Sequence, residues 1–203
     1  MKQDYVLIDG ENFVHKLVQN LKKQGLLKSR FSLTRMDINQ LFSFAKNAKL
    51  NYYSTAIRVS KKSKLYSKVE RITKWNSRWI PSLKFQGVNI IKAGFLRVRD
   101  NKRCAKCGSR TEILIEKGVD VGLAVDIVTL AEKGSKIFVV SSDTDLIPAI
   151  KRAVVRGIIV AYVAFPGELV SSLKQLASET IILDDRSIKK SYETIKLSGK
   201  ERK

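Results

Sequence analysis

The stretch KIFVVSSDTDLIPAI, Lys136–Ile150, decides the fold. Its first half is a near-continuous apolar run, its second half has helical spacing, and the joint between them carries two carboxylates, Asp143 and Asp145. A strand apolar on both faces is buried on both faces, as in a parallel sheet covered by helices. Working outward, comparable runs lie at 5–9, 52–59, 88–95, 158–164 and 180–184, and helical spacing fills roughly 13–24, 34–48, 62–79, 118–133, 145–156 and 167–177. Strand and helix taking turns predicts an α/β fold, doubly wound around a mainly parallel sheet. Residues 1–186 are expected to form one domain, with a basic helix and a CxxC loop inserted at about 60–112, followed by a basic C-terminal helix or tail over 187–203.

Composition bounds the function. The chain has 203 residues, 44% of them apolar, with only three Pro, which suits a compact fold. Its formal charge of +20 is concentrated: between Arg58 and Arg110 sixteen Lys or Arg stand against Glu70 and Asp100, a net +14. Charge gathered in this way recruits polyanions by counterion release, so nucleic acid is the expected partner. No apolar run approaches the roughly 18 residues of a membrane span, and no membrane partner is expected. The only two cysteines sit in one CAKC, too close for an ordinary disulfide framework, and the expected location is the cytoplasm.

The acids then stand out. In open parallel sheets ligands bind beyond the carboxyl ends of the strands, where the strand order reverses. Asp9 closes the first strand in YVLIDGEN, and Asp143 and Asp145 close the fourth in VVSSDTD. If those strands are neighbours across the reversal, three carboxylates from distant parts of the chain converge on one crevice. Asp120 opens the preceding helix in EKGVDVGLAVD, and Asp126 follows six residues later, about 600° around the helix, so the two do not share a face. Asp120 is the one expected to point into the crevice. Crowded carboxylates take up protons unless a cation neutralises them, and a hard divalent ion, Mg2+ or Mn2+, suits oxygen ligands. Each acid also has a capping or turn role open to it, since Asp is a preferred N-cap residue.

YVLIDGENF, EKGVDVGLAVDIVTLA and VVSSDTDLIPAIKRAVVRGIIVAYVA together resemble the NYN domain, the LabA-like branch of the PIN-like nuclease superfamily. The resemblance covers most of residues 4–185. It implies a three-layer α/β/α, Rossmann-like sandwich of PIN type, a divalent metal held by acids matching Asp9, Asp120, Asp143 and Asp145, and metal-dependent cleavage of RNA, which makes RNA the expected nucleic acid ahead of DNA. Asn12 matches the family's polar residue after the first acid, where it would orient a phosphate or a water, and is equally suited to capping a helix. Asp126 matches a recurring acid and stands as a secondary candidate.

The basic middle is a departure from the plainest form of that pattern. KKSKLYSKVERITKWNSRW, 61–79, sets Leu65, Val69, Ile72 and Trp79 on one stripe, while Lys64, Arg71 and Arg78 recur every seven residues. Lys61, Lys62, Lys64, Lys68, Arg71, Lys74 and Arg78 are the expected nucleic-acid contacts. Tyr66 and Trp75 flank the stripe, as core residues or as platforms for unpaired bases. Cys104 and Cys107 supply half of a tetrahedral zinc site; a zinc shared across a homodimer, redox chemistry and a plain loop all remain open. His15 is the only histidine and is expected to be a packed or surface residue. Two other functions compete with the ribonuclease: a nucleic-acid-binding regulator with little catalysis, and a DxD phosphate enzyme of the topoisomerase-primase or haloacid-dehalogenase type. The haloacid-dehalogenase pattern places its pair after the first strand, not the fourth.

Overall fold

The computed structural model of the chain describes residues 2–100, 103, 106–109 and 111–198. In chain order the elements are β1 (Tyr5–Asp9), α1 (Gly10–Lys23), α2 (Ile38–Leu41), β2 (Lys49–Ile57), α3 (Tyr66–Phe85), β3 (Asn89–Asp100), β4 (Glu112–Lys117), α4 (Val119–Thr129), β5 (Lys136–Val140), α5 (Ile147–Val155), β6 (Ile159–Ala164), α6 (Ser171–Leu176), β7 (Glu179–Ile182) and α7 (Asp185–Ser198). The strands form one seven-stranded sheet in the order β4-β3-β2-β1-β5-β6-β7. Every neighbouring pair is parallel except β3 and β4. The protein is thus a mixed α/β fold whose mostly parallel sheet is flanked by helices.

Strand side chains alternate between faces, so a strand apolar throughout feeds two cores. Val6 and Ile8 of β1 join one cluster with Phe13 and Leu17 of α1, Trp79 of α3 and Ile188 of α7. Leu7 joins the other with Leu123 and Ile127 of α4, Ala153 of α5 and Leu173 of α6. All of these are almost inaccessible to solvent. No helix among the described residues is long and apolar enough to cross a membrane.

Three sequence expectations need correcting. The helix expected over 34–48 is a 3-10 turn at Arg30–Arg35 and a single turn of α2. The side-chain carboxylate of Asp37 caps that turn through the Gln40 N–H at 2.8 Å, and Asn47 at φ 64 then turns the chain into β2. The helix expected over 62–79 begins at Tyr66 and runs on to Phe85, so Lys61, Lys62 and Lys64 precede it. Glu112 fixes the preceding turn by accepting from the Ser63 hydroxyl at 2.7 Å and the Lys64 N–H at 3.0 Å. Finally, β3 continues to Asp100 and returns as β4, an antiparallel edge strand that was not anticipated.

A polar thread ties three elements together beneath the site. The Trp79 indole N–H donates to the Tyr52 hydroxyl at 3.1 Å, and that hydroxyl donates to the Gly10 carbonyl at 3.1 Å. Burial pushes the Tyr52 phenol well above its ordinary range, which keeps it a neutral donor. Trp75 stacks on Trp79 with centroids 5.4 Å apart, and the Arg30 guanidinium lies 4.7 Å from the Trp75 centroid. At 3% exposure Trp75 is a core residue and offers no stacking face to a base.

Gly10 is what lets α1 start this close to β2. A Cβ there would lie 2.6 Å from the Tyr52 ring and inside contact with the Tyr53 carbonyl oxygen. Gly10→Ala is therefore expected to lower the unfolding free energy by about 1–3 kcal/mol, the usual cost of overpacking, in a urea titration. An unchanged midpoint would mean that α1 shifts freely.

Candidate active site

β1 is where the strand order turns. Its neighbours are β2 on one side and β5 on the other, and the chain winds outward from it both ways. Asp9 ends β1, and the loop Ser141–Asp143 follows β5 beside it. Ser141, buried, donates its hydroxyl to Asp9 Oδ2 at 2.9 Å and accepts the Asp143 N–H at 3.2 Å. Asp9 Oδ1 accepts the Asn12 N–H at 3.4 Å and so caps α1, while Asp143 Oδ1 accepts the Asp145 N–H at 2.9 Å and caps the 3-10 turn Thr144–Leu146. Both carboxylates thus have capping roles and still belong to the mouth of the crevice.

The electrostatics are those of an acid cluster. Asp9 is 6% exposed, and burial raises its carboxyl from 3.8 to about 6; repulsion from Asp120 and Asp143 adds to this, and the bonds from Ser141 and Asn12 oppose it. Burial also raises Asp120, with Asp143 and Asp145 contributing, and raises Glu116, with Asp120 and Glu11 contributing. Among the described residues the ion pairs are Lys16 with Glu168, Arg30 with Glu11, and Lys136 with Glu179. In a chain of 39 Lys and Arg, none of these pairs reaches Asp9, Asp120, Asp143 or Asp145.

A cavity of about 20 Å3 lies at the foot of the cluster, lined among others by Asp9, Glu11, Tyr52, Tyr53, Asn76 and Glu116. That is room for one water-sized occupant. Glu11 and Glu116 were missed from sequence, although both stand inside quoted motifs, DGEN and EKGVD. Asp126 is reached through Tyr53, which also lines this cavity: Tyr53 donates its hydroxyl to Asp126 Oδ2 at 2.5 Å, and burial with this carboxylate raises the phenol. Asn12 is half-buried and His15 is exposed. Lys61, Lys62, Lys64, Lys68, Arg71, Lys74 and Arg78 are all exposed. Cys107 is exposed, its Sγ 3.0 Å from Ser109 Oγ, and Cys104 lies outside the described residues.

Among the described residues no three His, Cys, Asp or Glu side chains stand close enough to hold a metal ion together. The donor chemistry nevertheless fits a hard divalent cation: oxygen ligands only, mutually repelling, and without a Lys or Arg ion-paired to them among the described residues. The side chains would have to close on such an ion.

The burial of Asp9 sets a pH dependence. In the unfolded chain its carboxyl titrates near 3.8, in the folded chain at about 6, so raising the pH through this window ionises the unfolded chain first and lowers stability. In metal-free denaturant titrations Asp9→Asn should lose less stability than the parent between about pH 4 and pH 7, by on the order of 2 kcal/mol. The slope with pH is the readout, because Asn leaves one of the two donors to Asp9 without an acceptor. Equal slopes would show that Asp9 ionises freely in the folded chain.

Comparisons with known proteins place this geometry. No curated protein is significantly similar to the chain in sequence. Among solved structures, a crystal structure of a Vibrio parahaemolyticus protein of unknown function superposes with a TM-score of 0.51 at 17% identity, over 91% of this chain and 94% of that one, a likeness of fold. The family model of the NYN domain, a PIN-like nuclease domain family, matches residues 5–184. From the start of β1 to just past β7, the chain belongs to the NYN domain family.

Proposed function

We propose that the protein is a ribonuclease that cuts RNA phosphodiester bonds with the help of Mg2+ or Mn2+ held by Asp9, Asp120 and Asp143, with Asp145 at the rim. The observation that carries this reading is the convergence of mutually repelling carboxylates, Asp9 buried and Asp120 and Asp143 half-buried, at the reversal of strand order, with no Lys or Arg ion-paired to them among the described residues. When bound, such a cation supplies charge neutralisation to a phosphodiester and acidity to water. The chain's own residues do the rest. Ser141 orients Asp9 and ties it to the Asp143 backbone, while Asn12, in the first turn of α1, is assigned the orienting of a phosphate or a water. The same reading takes the flanked sheet as a PIN-type three-layer sandwich, residues 1–186 as the nuclease domain with its insertion at about 60–112, and 187–203 as a basic appendage.

RNA docking is assigned to the exposed cations from Lys61 to Arg78. A groove of about 370 Å3 beside them is lined by Arg30, Phe31, Arg71, Ile72, Lys74 and Trp75. Arg30 also reaches Glu11 at 3.8 Å, which links this shelf to the acid crevice. The regulator is the second reading, favoured by the lack of a preformed three-acid grip on an ion among the described residues.

Titration with Mg2+ and Mn2+ on labelled RNA separates the two. Cleavage should appear with the metal, vanish in Asp9→Asn, Asp120→Asn and Asp143→Asn, and leave RNA affinity equal or higher in each, because less negative charge opposes the phosphate. Tight binding with no metal-dependent cutting would instead make the protein a regulator. Reversing Lys64, Arg71 and Arg78 to Glu should weaken binding and flatten its salt dependence by up to about one logarithmic unit per lost contact. Unchanged affinity and slope would remove this shelf as the docking surface.

A further inference from the structure

A second feature lies outside both the acid crevice and the α3 shelf. Arg58, just past β2, Phe95 and Arg97 of β3, and Lys117 of β4 line a cleft of about 350 Å3. Phe95 is 40% exposed, and the Arg58 guanidinium sits 3.6 Å from its ring centroid. Lys117 stands directly opposite Phe95 across the antiparallel pair, and the Arg58 N–H donates to the Leu96 carbonyl at 2.9 Å, which holds Arg58 alongside β3. Among the described residues no acid lines the cleft, and Arg58, Arg97 and Lys117 are absent from the ion pairs.

We propose that this cleft binds single-stranded nucleic acid, with one unpaired base stacked on the Phe95–Arg58 platform and the adjoining phosphates held by Arg97 and Lys117. The proposal rests on the nucleic-acid reading of the acid site and adds a subsite to it. Three cations with no ion-pair partner among the described residues select a polyanion. An aromatic ring on an exposed strand selects bases that are free to stack, and the guanidinium lying over one face of it offers a further plane to the stack. A duplex keeps its bases stacked inside and cannot use the ring. Glu116 lines the acid cavity and Lys117, the next residue of β4, lines the cleft, so the two sites lie on opposite faces of the edge strand. A single strand would reach from one to the other around the margin of β4.

The test uses the full chain carrying Asp143→Asn, so that no cutting intervenes, in metal-free buffer. Fluorescence anisotropy compares an unstructured single-stranded RNA with the same RNA in a duplex. Phe95→Ala and Phe95→Leu should each weaken binding of the single strand about tenfold, Phe95→Tyr should restore it, and duplex binding should change less than about twofold. Arg97→Gln and Lys117→Gln should each lower the salt slope by about one. If Phe95→Leu binds the single strand as the parent does, or if single strand and duplex lose affinity equally, Arg58 merely shields an exposed ring and the cleft is not a base site. Should metal-dependent cutting by the unmutated protein hold while the Phe95 variants bind unchanged, the cleft alone falls; should cutting be absent while Phe95→Leu still weakens the single strand selectively, the nuclease reading falls and the cleft stands.

Discussion

The parallel pairing of β1 with β5, Tyr5 beside Ile137 through Ile8 beside Val140, is the constraint on which the rest of the molecule depends. It ends one residue short of Asp9, so the next positions on the two strands are Asp9 and Ser141, and their side chains meet in a hydrogen bond. Because the side-chain period of a strand is two, a slip of one residue would exchange the two faces of β1, sending Val6 and Ile8 into the cluster that now holds Leu7. Apolar burial on both faces of β1 therefore does more than stabilise the sheet. It fixes the height at which the first carboxylate leaves it.

Two opposed electrostatic regions coexist on that frame. The chain as a whole is strongly basic, yet the carboxylates at the strand ends keep company mainly with one another. Distance and solvent permit this, since exposed charges are screened beyond roughly 8–10 Å in ordinary salt. The cations of α3 and of the β3–β4 hairpin project outward, where a phosphate backbone can meet them, while Asp9 is buried and Asp120 and Asp143 are half-buried. A Lys or Arg set among these carboxylates would have neutralised the charge that the proposed cation is to meet.

Much of this was legible in the sequence because it rests on patterns of short range. Near-continuous apolar runs marked six of the strands, and the acids at the ends of two of them located the crevice once the order of strands was supposed. What escaped was decided by partners far along the chain. EILIEK carries only three apolar residues between charges and reads weakly as a strand; it becomes β4 because β3 is long enough to pair with it. The apolar spacing over 34–48 suggested one helix, but the Gln86 side chain accepts the Ile38 N–H at 2.6 Å and fixes a single turn there. Asp126, the secondary candidate, accepts the hydroxyl of Tyr53, a partner 73 residues away that no local pattern announces. Glu11 and Glu116 went unremarked because nothing in their spacing sets them apart from surface glutamates; only the fold brings them to the cavity wall.

The antiparallel hairpin also determines how the sheet ends. β4 leaves a row of unpaired backbone groups at one margin, whereas β7, only four residues long, gives the other margin little to offer. An open edge of this kind invites another chain to add a strand. Here the flanking Arg97, Arg99 and Lys117 make two copies repel as their edges approach. That guard is ionic and shrinks to about 3 Å of reach in molar salt. The ionic strength that would screen a polyanion from the basic surface thus also thins the guard on this edge.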